Sequence, residues 1–244
     1  MKIILNGSNG KMGREVEKLA NAEGSGVQIT AKIDITNENG FKHIAEVTEK
    51  ADCIVDFSNH LATKELCEYA KKTNTAIIFA TTGQTDEEKQ MIEDLSGYVP
   101  VFFSANMSVG VALLVELAKK AAAAMPDADI EIVEVHHNRK LDAPSGTALM
   151  LAQAIKQVRK NAKFILGRNG HQKREKDDIG INSVRMGNVV GIHEVIVGTD
   201  AQTITIKHEA HSRALFAEGA IEACKFLIKQ PAGLYSMQDM IKDR

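Results

Sequence analysis

Tryptophan is absent from this chain of 244 residues, other aromatics are scarce, and cysteine occurs only three times. Cys53, Cys67 and Cys224 are widely spaced and each lies in an apolar run. That spacing excludes a disulfide framework and predicts buried free thiols in a reducing compartment. A basic excess is also missing. With a formal charge of −2, the chain lacks the electrostatic footprint of a nucleic-acid or membrane-surface protein, so an anionic ligand must be held by a local cluster of donors. No run reaches the roughly 18 apolar residues that a membrane span requires. The opening Met1-Lys2-Ile3-Ile4-Leu5-Asn6 passes directly into glycine, with neither the length nor the cleavage site of a secretory signal. A cytoplasmic protein with no membrane or nucleic-acid partner is expected. Internal repeats and low-complexity linkers are lacking, and the length suits one large domain or two modest ones.

What is present is alternation. Short β-rich runs at 2–6, 27–34, 53–57, 75–80 and 101–104 are separated by segments of helical period at 11–22, 61–72 and 86–96, with a short helix predicted within 41–47. Strands alternating with helices imply βαβ crossovers and a parallel sheet covered on both faces. An apolar helix at 109–125 follows, then a polar-apolar alternation at 129–137 that reads as a half-exposed strand, and a helix at 148–158. Between 181 and 208 come three strands separated by the turn pairs Gly187-Asn188 and Thr199-Asp200, connections short enough to predict antiparallel hairpins. A final helix is expected over 212–229, and the charged stretch 167–180 reads as a mobile solvated loop. The fold class predicted is α/β: a Rossmann-like doubly wound parallel sheet, plus an α+β domain with an open, largely antiparallel sheet. The chain is expected to cross between the two near 105–108 and 209–213.

After the first strand, Gly7-Ser8-Asn9-Gly10-Lys11-Met12-Gly13 opens a helix. Glycine at every third position lets backbone approach a pyrophosphate, and the helix amino terminus favours its charge. The spacing differs from the commoner G-x-G-x-x-G, with Asn9 where a second glycine is usual; a plain tight turn before a helix would use one or two such glycines. The second strand ends at Asp34, about 20 residues on, where a carboxylate can accept from the adenosine ribose hydroxyls. Ile35, Thr36 and Asn37 follow without an arginine or lysine, and Lys32 stands two residues back. This favours NADH, with NADPH as the second cofactor. Ala80-Thr81-Thr82-Gly83 and Ser104-Ala105-Asn106-Met107 end the fourth and fifth strands, and in a doubly wound sheet ligands bind at such carboxyl ends.

The chemistry concentrates in Glu134-Val135-His136-His137-Asn138-Arg139-Lys140-Leu141-Asp142-Ala143-Pro144-Ser145-Gly146-Thr147-Ala148. On a continuing strand His136 and His137 face opposite ways; if the strand ends there, both can turn into a cleft. Ser145, Gly146 and Thr147 offer hydroxyls and backbone N–H groups at a helix start, a carboxylate site reinforced by Lys140 and a protonated histidine. A histidine or lysine here can supply the proton that accompanies hydride addition. Taken singly, each has an ordinary alternative: a surface histidine, a solvated lysine, a helix cap at Ser145 or Asp142. A zinc site from His136, His137, His208 and His211 is disfavoured, because adjacent histidines are poor partners for one ion and no cysteine pair accompanies them. The sequence does not place His208, His211 or Arg213.

The run His136-His137-x-x-Lys140-x-Asp142-Ala143-Pro144-Ser145-Gly146-Thr147-Ala148 resembles the signature of the dihydrodipicolinate reductase family. The resemblance extends to the glycine loop, to Phe57-Ser58-Asn59-His60, to the two strand-end segments just named, to Ser212-Arg213-x-x-Phe216-Ala217-x-Gly219-Ala220, and to Gly233-Leu234-Tyr235-Ser236-Met237. It implies a reductase of the diaminopimelate and lysine pathway, which converts a cyclic hydroxy-dicarboxylate to tetrahydrodipicolinate with loss of water, using NADH or NADPH. By this resemblance His136 is the acid/base and Lys140 the proton donor, while His137 and the backbone of Gly146 and Thr147 hold the substrate's carboxylates. It further implies a homotetramer packed through the second domain's sheet, and a carboxyl-terminal segment that returns to the nucleotide domain. The domains are then 1–105 with about 213–244 for the dinucleotide, and 106–212 for substrate and oligomerisation. Two positions depart from the pattern: Ala80 stands where glycine is frequent, and no basic residue immediately follows Asp34. The competing readings are another two-domain nicotinamide oxidoreductase, which would need an acylating cysteine or a different basic set near residue 135, and an NADH-binding regulatory module without catalysis.

Overall fold

The computed structural model describes residues 1–38 and 40–242. They form two compact units, Met1–Ser108 together with the segment from Arg213 onward, and Val109–Ser212. The last two residues of the expected 213–244 segment lie outside the described residues.

The first unit runs β1 (Lys2–Asn6), α1 (Lys11–Ala20), β2 (Gln28–Ile33), β3 (Cys53–Asp56), α2 (Thr63–Thr73), β4 (Ala76–Phe79), α3 (Asp86–Ser96) and β5 (Pro100–Phe103). The second unit contains α4 (Val109–Ala124), β6 (Asp129–His136), α5 (Gly146–Val158), β7 (Lys163–Leu166), β8 (Asp178–Arg185), β9 (Gly191–Gly198) and β10 (Thr203–Ala210). The chain then supplies α6 (Ala214–Leu227), β11 (Gly233–Tyr235) and α7 (Met237–Lys242) to the first.

The first sheet has the order β11-β5-β4-β3-β1-β2 and is parallel throughout. Its central strands are buried on both faces: every residue of β3 and β4 is covered, as are Ile3, Ile4 and Leu5. Near-continuous apolar runs are what helices on both sides of a parallel sheet demand. The strand order reverses at β1, which has β3 on one side and β2 on the other, so a crevice opens at the carboxyl end of β1. The helix expected within 41–47 is a single 3-10 turn, Ile44–Glu46. On α6, a Cβ at Gly219 would lie 1.7 Å from the Met107 carbonyl oxygen, so the residue must be glycine for the loop after β5 to rest on the helix.

The second sheet is mixed, with the order β10-β9-β6-β8-β7. The β6–β8 and β7–β8 pairs are parallel, and the β6–β9 and β9–β10 pairs antiparallel. Only β9 and β10 form the hairpin their short turn predicts. The expected hairpin between β8 and β9 is not there, because β6 lies between them and pairs with both. Strand β6, the central strand, alternates strictly: Ile130, Ile132, Glu134 and His136 are buried, and the residues between them are half covered. Its two isoleucines meet Leu114, Ala118, Leu151 and Ile155 of α4 and α5 in the core. The stretch 167–180 is solvent-exposed through residue 177, apart from the half-buried Arg174, and it is also tied to the sheet by hydrogen bonds and ion pairs. Arg168 reaches Asp178 at 3.0 Å, Arg174 donates to the carbonyls of Ile130 and Asp178 at 3.2 and 2.5 Å, and residues 178–180 already belong to β8.

Candidate active site

Beyond β1, Gly7 adopts φ +80°, and a Cβ there would lie 2.5 Å from the Phe57 carbonyl oxygen. At Gly13 a Cβ would lie 2.2 Å from the Gly7 oxygen. Backbone packed on backbone therefore fixes the first and third glycines of the loop. Gly10 is less crowded; it is the N-cap of α1, and no side chain caps the helix there. The helix amino terminus is thus left without a side-chain acceptor, the condition under which it receives an anion. Asn9, the departure from the commoner loop, stitches it to the end of β2: its amide donates to Thr36 Oγ1 and Asn37 Oδ1, both at 2.9 Å, and its backbone N–H to Asp34 at 3.0 Å. Burial pushes the Asp34 carboxyl up, but hydrogen bonds from Thr36 and Asn9 outweigh it and hold the group below its ordinary value.

Gly7, Asn9, Gly10 and Asp34 line a cleft of about 650 Å³. Beside them stand two apolar side chains left open to solvent, Ile35 at 79 % and Leu61 at 77 % exposed. This donor set fits an adenine dinucleotide: loop and helix N–H groups for phosphate, Asp34 for ribose hydroxyls, Ile35 and Leu61 for the faces of a base. Lys42 and His43 line the same cleft, although they lie eight and nine residues beyond Asp34. A parallel bridge between Ile33 and Phe41 brings that segment back to β2. Lys32, the cation two residues before Asp34, is not among the lining residues and pairs with Glu17 at 2.8 Å. Of the other expected cofactor residues, Ser8 is buried, and neither Lys11 nor Met12 lines the cleft. Ala80, Thr81 and Thr82 follow β4, with Thr81 buried, and Ser104 to Met107 follow β5, where the Ser104 hydroxyl donates to the Asn106 carbonyl at 2.7 Å. These two segments sit at strand carboxyl ends, outside the lining of the cleft.

In the second unit, β6 ends at His136, so the two histidines are not held to opposite faces of a continuing strand. The His136 ring faces inward, 9 % exposed, with Nδ1 2.5 Å from Glu134 Oε2. His137 begins the loop, its N–H donating to the Val189 carbonyl at 2.8 Å, and Arg139 reaches Asn188 at 2.6 Å. These contacts pin the loop to the turn between β8 and β9. Lys140 is half-buried and its Nζ lies 2.8 Å from Asp142 Oδ1. Helix α5 then opens at Gly146, whose Cα faces open space: a Cβ there would meet nothing within 4 Å. Ser145 departs from expectation. Its hydroxyl is buried, accepting from the Ala148 N–H at 3.2 Å and lying 3.1 Å from His193 Nε2, so its side chain caps the helix instead of offering itself to a ligand.

Glu134 opens the run in which the chemistry concentrates but carries no role there, and Arg185 and His193 lie outside every motif of the sequence. Glu134 is fully buried and accepts from Arg185 through both terminal nitrogens at 2.9 and 2.7 Å, from His136, and from the Ser145 N–H at 3.1 Å. Burial pushes its carboxyl up, but hydrogen bonds from Arg185, His136, Ser183 and Ser145 overcome this and bring it down to about 2. His193, on β9 opposite Glu134, has its pKa lowered to about 4 by burial and by the neighbouring His136. The signal for Glu134 was its place two residues before His136, on the same face of an alternating strand. For Arg185 and His193 the signal required the strand order. His208 stands opposite His193 on β10, and burial with the neighbouring His211 lowers its pKa. Among the described residues, no group of three or more His, Cys, Asp or Glu side chains is placed to hold a metal ion.

Residues 1–107 match the family model described as dihydrodipicolinate reductase, N-terminus, and residues 110–241 the model for its C-terminus. The chain is 44 % identical to the 4-hydroxy-tetrahydrodipicolinate reductase of Caldanaerobacter subterraneus subsp. tengcongensis, across 99 % of this chain and 98 % of that one. It is 43 % identical to the enzyme of the same name from Clostridium perfringens (strain 13 / Type A), with the same coverage. A dipicolinate-bound dihydrodipicolinate reductase from Paenisporosarcina sp. TG-14 superposes with a TM-score of 0.79 at 26 % identity, covering 97 % of both chains.

Proposed function

The chain belongs to the dihydrodipicolinate reductase family, and from that premise we propose that it reduces 4-hydroxy-tetrahydrodipicolinate to tetrahydrodipicolinate, with loss of water, in the diaminopimelate and lysine pathway. The observation that carries this is the end-to-end match: both family halves are present, and reductases of this name align over 99 % of the chain. The relatives named above favour turnover over a dinucleotide sensor.

When bound, the reduced nicotinamide supplies the hydride. The glycine loop and the start of α1 hold its pyrophosphate, Asp34 the adenosine ribose, and the segments after β4 and β5 the nicotinamide half. NADH is the preferred donor, because the Asp34 carboxylate repels a 2′-phosphate; Lys42 and His43 in the same cleft admit NADPH as the second. His136 is the acid/base, and Lys140 donates the proton that balances hydride addition. Because the ionised Glu134 carboxylate can only accept, Nδ1 of His136 carries a hydrogen and Nε2 is the nitrogen that exchanges protons. His137, Lys140 and the backbone of Gly146 and Thr147 bind the substrate's two carboxylates, and Ser145 sets the turn that presents them. A dicarboxylate takes the place of Asp142 on Lys140.

The enzyme works in the cytoplasm, consistent with three buried free cysteines and with no described helix long and apolar enough to cross a membrane. It works as a homotetramer: the sheet face opposite α4 and α5 carries Val133, Val135, Val184, Ile192 and Ile196, apolar residues at alternate positions that a partner sheet covers. The test is the oxidation of NADH and NADPH, followed by loss of nicotinamide absorbance, with enzymatically generated 4-hydroxy-tetrahydrodipicolinate. Substrate-dependent oxidation, faster with NADH, is expected. No oxidation by folded protein that still binds NADH would overturn the assignment.

A further inference from the structure

Outside the residues assigned above, one buried carboxylate in the second unit is heavily engaged. Glu134 is fully buried, yet it sits at the carboxyl end of β6, where the apolar row Ile130 and Ile132 gives way to polar side chains on the same face. One of its oxygens accepts from Arg185 at 2.7 Å and from the Ser145 N–H at 3.1 Å; the other accepts from Arg185 at 2.9 Å and from His136 Nδ1 at 2.5 Å. Burying a charge costs several kcal/mol unless it is paired and hydrogen-bonded. Here the fork of Arg185 provides the pairing, and Arg185 is itself fixed by donating to the Asp142 carbonyl at 2.7 Å. A side chain needed only to fill the core at this position could be apolar at lower cost.

We propose that Glu134 is a positioning residue that couples the acid/base to the anion-binding turn: a single carboxylate fixes the tautomer and direction of His136 and the register of Ser145-Gly146-Thr147, with Arg185 as its anchor. The role rests on the reductase reading, in which His136 exchanges a proton through Nε2 and the turn binds carboxylate. The arrangement explains why Gly191 bears no side chain: a Cβ there would approach His136 Nε2 to 3.1 Å. With Nδ1 tied to Glu134, the ring cannot turn away from such a contact. It also explains why the acid and the turn stay in one geometry although nine residues separate His136 from Ser145. Movement of either end would break a charge-assisted bond to the same buried group.

The test has two readouts. In protein labelled with nitrogen-15 at histidine, the His136 Nδ1 proton should give a downfield, slowly exchanging resonance, identified by its disappearance in His136→Gln. It should also vanish or move strongly in Glu134→Gln, whose amide cannot accept from His136, Arg185 and Ser145 together. The same variant should lose turnover by about 10²-fold, the scale of a misdirected general acid, and raise the substrate KM several-fold, while its NADH Kd stays within about twofold. Glu134→Asp, which keeps the charge, should restore part of both losses. A wild-type protein without the Nδ1 resonance would overturn the proposal, whether or not the variants fold. So would a Glu134→Gln enzyme with wild-type kcat and KM, or one whose loss appears equally in NADH binding. Failure of the reductase reading is distinguishable, because wild-type protein would then turn over nothing while the resonance still reported the tether.

Discussion

His193 makes the second unit sensitive to acid in a pH range where carboxylates are still ionised. The ring is 4 % exposed, its Nε2 lies 3.1 Å from Ser145 Oγ, and it meets His136 edge-on with centroids 5.2 Å apart. Burial first, and then the neighbouring His136, bring its pKa from 6.5 down to about 4. The folded-state value lies below the unfolded one, so the stability at stake is fully present above pH 6.5 and is lost as pH falls towards 4. Over that window the unfolded chain takes a proton that the folded chain refuses. At about 1.4 kcal/mol per pH unit, the whole effect is about 3 kcal/mol, of which about 2 kcal/mol is lost between roughly pH 7 and pH 5. The perturbation is His193→Gln, which keeps a polar group within reach of Ser145 and removes the titration. The assay is urea unfolding at both pH values, with hydrogen exchange of the β6 and β9 amides reporting the second unit. Wild type should lose about 2 kcal/mol more than the variant on acidification, since other titrating groups are common to both. Parallel losses, equal within about 0.5 kcal/mol, would refute the claim that this ring is held neutral by its burial.

Three further outcomes follow from geometry already described. Gly13→Ala places a methyl 2.2 Å from the Gly7 carbonyl and 2.7 Å from Ser8; the displaced loop should weaken NADH binding by about tenfold or more, and an unchanged Kd by calorimetry would contradict it. Lys42→Met should lower kcat/KM for NADPH by about tenfold, the value of one charge-assisted contact, and leave NADH within about twofold; equal effects on both would remove Lys42 from the 2′-phosphate. Lys140→Ala should raise the substrate KM and lower kcat, by about 10²-fold or more combined, and steady-state kinetics showing either parameter intact would split its two assigned roles.

The sequence disclosed most of the first unit because its signals are local. Short apolar runs bounded by glycine and polar residues and alternating with amphipathic helical stretches fit the inner strands of a covered sheet, and β1 and α3 match their expected bounds to the residue. What it concealed depends on pairing across distance. Strand β6 enters between β8 and β9, and no feature of either strand or of the turn joining them announces that insertion. β7 and β11 are short, half-exposed edge strands without the fully buried apolar runs that mark β3 and β4. At the site, His136, Lys140 and the α5 turn stood in one run and could be read together. Lys42 could not be read with Asp34, because it is the bridge between Ile33 and Phe41 that returns it to β2. Arg185 and His193 become partners of Glu134 only when β8 and β9 flank β6. Ser145 was assigned outward by its residue type, and only the closeness of His193 shows its hydroxyl turned in.

The discontinuity of the first unit also sets a timetable for synthesis. Domains ordinarily fold in the order in which they leave the ribosome, but here the unit that begins first cannot be finished first. Its sheet lacks the edge strand β11, and α1 lacks the helix that packs on it, until residues 214–235 have been made. By then the whole of Val109–Ser212 has already emerged as a contiguous segment with every strand of its own sheet in hand. The nascent nucleotide-binding half therefore waits with β5 unpaired on one side and an apolar helix face uncovered, the form of the chain most exposed to chaperones and to mispairing.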